Sequence, residues 1–261
     1  MSVYWDKQLL LLCCAFAAAF GAVMGSFLNC TAWRVAHGED WVHGRSRCPA
    51  CGHVLGPAEL VPVLSWLLLR GRCRHCGKAI SARYVLAELF CALLAVACLL
   101  RFGATALCLR NLAFLYCLFC LSLVDWESFL IPDGCLAVAA CAWLLALPFP
   151  WQGWRWAVSR VLAGLAFGGA ALLLSLAMDR ALGKESLGGG DIKLLAVAGL
   201  YLGWIGSLLS LLLACLLGLA LAAALRRGRG EAVPFGPAIA VSAAALLFLG
   251  DAAAKWYLGF F

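Results

Sequence analysis

LLLLCCAFAAAFGAVMGSFL, Leu9–Leu28, is a stretch of twenty residues without a single charge. As an α-helix it rises about 30 Å, the thickness of the hydrocarbon core of a bilayer. A secretory signal peptide carries a shorter apolar stretch, roughly 7–15 residues, behind a basic segment. Here the run is longer and only Lys7 precedes it nearby, so it reads as a first membrane helix. Beyond one long polar segment, about Thr31 to Arg83, the pattern returns. Apolar runs follow at 85–101, 106–124, 132–149, 157–178, 191–203, 206–225 and 235–250. The run at 191–203 is short and flanked by glycine, as for a tilted or partial span. The expectation is an all-α polytopic membrane protein with about eight transmembrane helices. Its expected divisions are a first helix at 1–30, a polar region at 31–84 and a membrane-embedded region at 85–261.

Composition agrees with lipid as the main solvent. The 261 residues are 65% hydrophobic and only 13% charged, where soluble domains carry about 25% charged residues. Mean hydropathy is +0.97. A net charge of +7 in such a chain is a topology signal, because Lys and Arg collect on the cytoplasmic side. With the N-terminus outside, fourteen of the twenty Lys and Arg fall on inner segments. These include Arg34, Arg45, Arg47, Arg70, Arg72, Arg74, Lys78 and Arg83 in the polar segment. The others are Arg180, Lys184, Lys193, Arg226, Arg227 and Arg229. Trp151, Trp154 and Trp156 then form an aromatic belt at the outer interface.

The chain holds fifteen cysteines. Most, such as Cys13, Cys14, Cys91, Cys98, Cys117, Cys120 and Cys215, lie in apolar runs, where cysteine acts as a small hydrophobe. Four do not. CPACGH (Cys48–His53) and CRHCGK (Cys73–Lys78) are paired C-x-x-C knuckles, each trailed by a glycine. Two such turns supply the four thiolates of a structural zinc site. Metal binding also supplies folding energy that so short a polar segment lacks. His53 and His75 stand close enough in sequence to substitute as ligands. Cys48, Cys51, Cys73 and Cys76 are the expected metal ligands.

Carboxylates at the edge of membrane spans are costly and point to function. VDWESFLIPD (Val124–Asp133) ends one apolar run. GKESLGGGDIK (Gly183–Lys193) opens another. Asp125 and Asp191 are the expected catalytic pair. Two facing carboxylates can share a proton, one activating water and the other polarising a carbonyl. Asp191 opens a helix and Asp125 closes one, so the helix dipoles favour Asp191 as the ionised base. Gly188, Gly189 and Gly190 are expected to admit an extended peptide substrate. The structural alternatives are an N-cap role for Asp191 and for Asp133. Glu127 reads as a solvated loop residue.

Together these segments resemble the type IV prepilin peptidases, a bacterial family of GxGD-type aspartic membrane peptidases that are also N-methyltransferases. The likeness runs from GSFLNC (Gly25–Cys30) and Trp33-Arg34 through the paired knuckles, VPVLSWLLLRGRCRHC (Val61–Cys76) and SARYVLAEL (Ser81–Leu89). It continues through VDWESFLIPD and GGGD to PFGP (Pro234–Pro237). It implies an inner-membrane enzyme with its active site at the cytoplasmic face. Such an enzyme cuts the basic leader of prepilins or pseudopilins after a glycine. It then methylates the new N-terminal amine with S-adenosylmethionine, and the polar region at 31–84 would serve that second activity. No dinucleotide-type glycine fingerprint marks a donor site, which stays unassigned. Two other readings use the same residues. A dithiol oxidoreductase would use the C-x-x-C pairs, and a proton-coupled transporter would use Asp125 and Asp191.

Overall fold

The computed structural model describes residues 7–149, 152–183, 187–225 and 233–258, with backbone only for Leu182 and for 251–258. Lys184, Arg226, Arg227, Arg229 and Trp151, invoked for orientation, lie outside the described residues. Among the described residues, all regular structure is helical apart from two isolated β-bridges. The chain divides into two compact units, Met1–Ala104 and Thr105–Phe261. Among the described residues, five helices are long and apolar enough to cross a membrane.

The first unit contains α1 (Lys7–Ala36), the short α2 (Leu64–Leu68) and α3 (Ala82–Phe102). Helix α1 runs past the expected end at Leu28 and carries Asn29, Trp33 and Arg34 on its last turns. It packs antiparallel on α3 through glycine. A Cβ on Gly21 would fall 2.5 Å from the Cys91 carbonyl oxygen, and one on Gly25 would fall 2.6 Å from that of Ala87. Helices in lipid gain little from apolar burial, so they associate where small residues let backbones approach. Large side chains on the far side of α1, such as Leu11 and Phe16, point outward. That inversion of the soluble pattern is expected of a lipid-facing surface.

The second unit contains α4 (Ala106–Ser128), α5 (Asp133–Leu145), α6 (Trp154–Leu182), α7 (Gly189–Ala224) and α8 (Gly236–Leu258). Helix α4 is its centre, with 61% of its apolar 18-residue stretch buried against 22% and 17% for those of α6 and α7. Helices α6 and α7 pack on glycine and alanine. A Cβ on Gly199 would lie 2.5 Å from the Gly164 Cα, and one on Gly164 would lie 2.6 Å from the Ala196 oxygen. The buried cysteines Cys117 and Cys120 fill α4's contacts, neither in a disulfide.

The expected runs 191–203 and 206–225 form two arms of α7, separated by Gly203 at φ 67° and ψ −165°. Only glycine adopts such a conformation cheaply. The arms fold back on each other. Tyr201, near the end of the first arm, stacks on Phe114 at 3.9 Å, about 16 Å along α4 from Asp125. Gly218, on the second arm, rests on Phe235, the residue before Gly236, which itself bonds Asp125. Buried polar pairs brace the arrangement. The Tyr201 hydroxyl donates to the Ala139 oxygen at 2.7 Å, and the Ser210 and Ser242 hydroxyls pair at 3.0 Å. Helix α5, at thirteen residues, rises only about 20 Å. It falls short of a full span.

Candidate active site and metal centre

Each cysteine knuckle of the first unit is built the same way. The Cys48 N–H donates to the His53 oxygen and the Gly52 N–H to the Cys48 oxygen, both at 2.9 Å. The Cys73 N–H donates to the Lys78 oxygen and the Gly77 N–H to the Cys73 oxygen, again at 2.9 Å. Gly52 and Gly77 take φ 71° and 69°, the left-handed turn that glycine supplies. Single bridges, Arg47 to Val54 and Arg72 to Ala79, close the two turns.

The four sulfurs converge. Those of Cys48, Cys51, Cys73 and Cys76 all lie within 4.8 Å of one another, and Cys48 Sγ to Cys76 Sγ is 3.9 Å. Tetrahedral zinc with Zn–S bonds of about 2.3 Å needs edges of about 3.8 Å, so the set fits a closed thiolate site. The backbone N–H groups of Ala50 and Cys51 pull the Cys48 thiol down to about 6, toward the thiolate a metal takes. The cluster can bind a metal. His53 and His75 are not among the four. Their rings lie against each other, centroids 3.4 Å apart and planes tilted by 33°. Glu59, which sequence reasoning missed, joins them, its Oε2 lying 3.6 Å from His53 Nε2.

The aspartates occupy the second unit. Asp125 sits near the end of α4 and is 5% exposed. Its Oδ2 accepts the backbone N–H of Gly236, at the start of α8, at 3.0 Å. That N–H is available because the first amides of a helix have no intrahelical acceptor. Four residues on, the Phe129 N–H donates to the Asp125 carbonyl, and Phe129 ends α4 at φ 55°. A left-handed conformation in a bulky residue costs about 1–2 kcal/mol and marks an abrupt turn beneath the site.

Asp191 is the third residue of α7, behind the N-cap Gly188. Neither it nor Asp133 is an N-cap. Pro132 holds that place for α5, and the Asp133 carboxylate pairs with Lys193 Nζ at 2.8 Å. Asp191 Oδ1 is buried without a hydrogen-bond partner. A buried acceptor left in that state is an open valence for water or substrate.

The three glycines differ. A Cβ on Gly190 would lie 2.7 Å from Ile131 Cβ, so this glycine seats α7 against the connection between α4 and α5. A Cβ on Gly188 would approach Asp191 Oδ2 at 3.3 Å, and Gly189 faces open space. Glu127 corrects the sequence reading. It belongs to the last turn of α4, not to a loop, and its Oε2 is buried. Sequence reasoning quoted PFGP without giving Gly236 a role. Only the contact of α8 with α4 supplies one.

Two family models match the chain. The one described as Bacterial Peptidase A24 N-terminal domain covers residues 19–102, and that of the Type IV leader peptidase family covers 112–223. Curated relatives share both regions. The prepilin leader peptidase/N-methyltransferase of Aeromonas hydrophila is 37% identical over 82% of this chain and 74% of its own length. That of Burkholderia pseudomallei (strain 1026b) is 36% identical over 90% and 85%. That of Bacillus subtilis (strain 168) is 34% identical over 92% and 95%. No solved structure matches. With its knuckles in the first matched region and its aspartates in the second, this multi-pass membrane protein belongs to the type IV leader peptidase family.

Proposed function

We infer that the chain is a membrane aspartic endopeptidase that removes the basic leader of type IV prepilins or pseudopilins and then N-methylates the new terminus. What supports the reading is the placement of Asp125 and Asp191 at one end of the second unit, Gly236 fixing the first and Gly190 seating the start of α7 against the α4–α5 connection. Asp125 and Asp191 are the catalytic residues in this reading. One carboxylate takes a proton from water as the water oxygen attacks the scissile carbonyl carbon. The other, protonated, donates to the carbonyl oxygen. Collapse of the tetrahedral species breaks the C–N bond, and the amine leaves with a proton returned from the pair. Gly189, with open space at its Cβ position, is where an extended substrate would pass.

Zinc on Cys48, Cys51, Cys73 and Cys76 would be structural, cross-linking the two knuckles without touching substrate. The excess of Lys and Arg on the segment 31–83 supports a cytoplasmic position for both the knuckles and the aspartates. S-adenosylmethionine is the methyl donor in this reading. Neither alternative has support from the relatives, whose names are those of peptidases and N-methyltransferases. The test is incubation of the purified protein with a prepilin and labelled S-adenosylmethionine, then mass analysis of the product's N-terminus. Shortening by the leader length with one methyl group supports both activities. An uncut substrate with well-folded enzyme overturns the peptidase reading.

A further inference from the structure

Where the last turns of α1 meet the start of α3, Asn29, Trp33, Ser81, Arg83 and Tyr84 line a cavity of about 180 Å³. Its floor is Asn29, 97% buried by its 3% exposure. The Asn29 side-chain oxygen accepts Arg83 Nε at 3.1 Å, while its amide nitrogen has no partner among the described residues. An unpartnered donor on so buried a side chain asks for an acceptor. The rest of the lining has the same sign. Arg83 brings a guanidinium, Ser81 caps α3 by accepting the Arg83 N–H at 3.2 Å, and the positive end of the α3 dipole opens into the cavity. No carboxylate lines it. Trp33 and Tyr84 present half-exposed aromatic rings, that of Trp33 steadied by stacking on His37 at 4.4 Å.

An anion-seeking floor beneath aromatic walls suits a ligand with a carboxylate and, a few bonds away, a soft cation that aromatic faces attract. The volume is below the roughly 300 Å³ of a drug-sized pocket but takes an amino-acid-sized group. We propose that this cavity seats the methionyl end of S-adenosylmethionine, its carboxylate on Asn29 and Arg83 and its sulfonium between Trp33 and Tyr84. The adenosyl group extends outside. This rests on the reading of the chain as an N-methyltransferase, and it assigns the donor site which that reading leaves open.

The test is calorimetric titration of the full-length protein in detergent micelles with S-adenosylmethionine, S-adenosylhomocysteine, 5′-methylthioadenosine and inorganic phosphate. Asn29→Asp keeps the shape and the Arg83 bond but replaces the amide donor with a negative charge. It should weaken S-adenosylmethionine at least tenfold and leave methylthioadenosine, which lacks the amino-acid end, within twofold. Trp33→Leu, at a half-exposed position, should weaken the sulfonium ligand about fivefold and the neutral thioether S-adenosylhomocysteine less than twofold. If wild type binds S-adenosylmethionine and neither variant changes its affinity, the donor sits elsewhere. The proposal then fails while methyl transfer stands. Parallel loss of all three adenosyl ligands also overturns it, as does binding of phosphate in place of S-adenosylmethionine. If wild type cuts prepilin but binds no S-adenosylmethionine, the methyl-transfer reading falls and the proposal with it.

Discussion

The backbone N–H of Gly236 holds Oδ2 of Asp125 at 3.0 Å, joining residues 111 positions apart in sequence. A Cβ on Gly236 would stand 2.8 Å from that same oxygen, closer than real Cβ atoms come. Gly236→Ala should therefore swing the carboxylate out of register with Asp191 while leaving α8 intact, since alanine is the better helix former. The expected result is a loss of kcat of tenfold or more in prepilin cleavage, with KM within about twofold and normal abundance in membranes. A fully active Gly236→Ala enzyme would show that the bond does not position Asp125.

Asp125→Asn and Asp191→Asn each preserve size but remove a carboxylate. Acid–base work by a pair needs one charged and one protonated member at once, so neither covers for the other. Each single variant should abolish cleavage, and the double variant should be no worse, because the pair acts as a unit. Prepilin processing in membranes, normalised to enzyme abundance by blot, reads this out. Cleavage surviving in either well-expressed single variant would move the site.

The two candidate aspartates stood out in the sequence because one ends an unbroken apolar run and the other opens one behind three glycines, where an acid has few structural excuses. The paired knuckles were legible for a similar reason, since C-x-x-C-G prescribes its own turn and the sulfur cluster follows from two of them. Tertiary partners were not legible. Nothing local in PFGP says that its glycine N–H turns toward a carboxylate on α4. Nor does anything around Asn29 say that α3 will leave a cavity over it. Asp133 and Asp191 looked like N-caps because they precede apolar runs. The helices instead begin earlier, at Asp133 itself behind Pro132 and at Gly189 behind Gly188, leaving both carboxylates free for other work. Helix α1 overran its apolar stretch because the α-helix does not end where lipid does.

Cys73→Ser tests the metal centre. Cys73 is buried and its sulfur is one of four that converge. A serine oxygen is a poor replacement for a thiolate, and metal binding is coupled to folding of this short segment. Metal content by elemental analysis should fall from about one zinc per chain, and the first unit should become sensitive to protease. Undiminished metal in Cys73→Ser would remove that residue from the ligand set, and an active wild-type preparation without metal would remove the site.

The last expectation separates the catalytic pair from the acids beside it. Asp133 and Lys193 bridge α5 and α7 at 2.8 Å, close to the GGGD turn, so disturbing them could be thought to disturb Asp191. Both side chains are more than half exposed, however. An exposed ion pair contributes roughly 0–1 kcal/mol, screened further by salt. What holds the turn is the close seat of Gly190 on Ile131, which the substitution does not touch. Asp133→Asn should thus retain at least one-third of wild-type cleavage, and Lys193→Gln the same. Glu127→Gln, two residues from Asp125, points from a different face of α4, since positions i and i+2 lie on different faces of a helix. It too should keep most activity. A dead Glu127→Gln beside an active Asp125→Asn would transfer the partner role from Asp125 to Glu127.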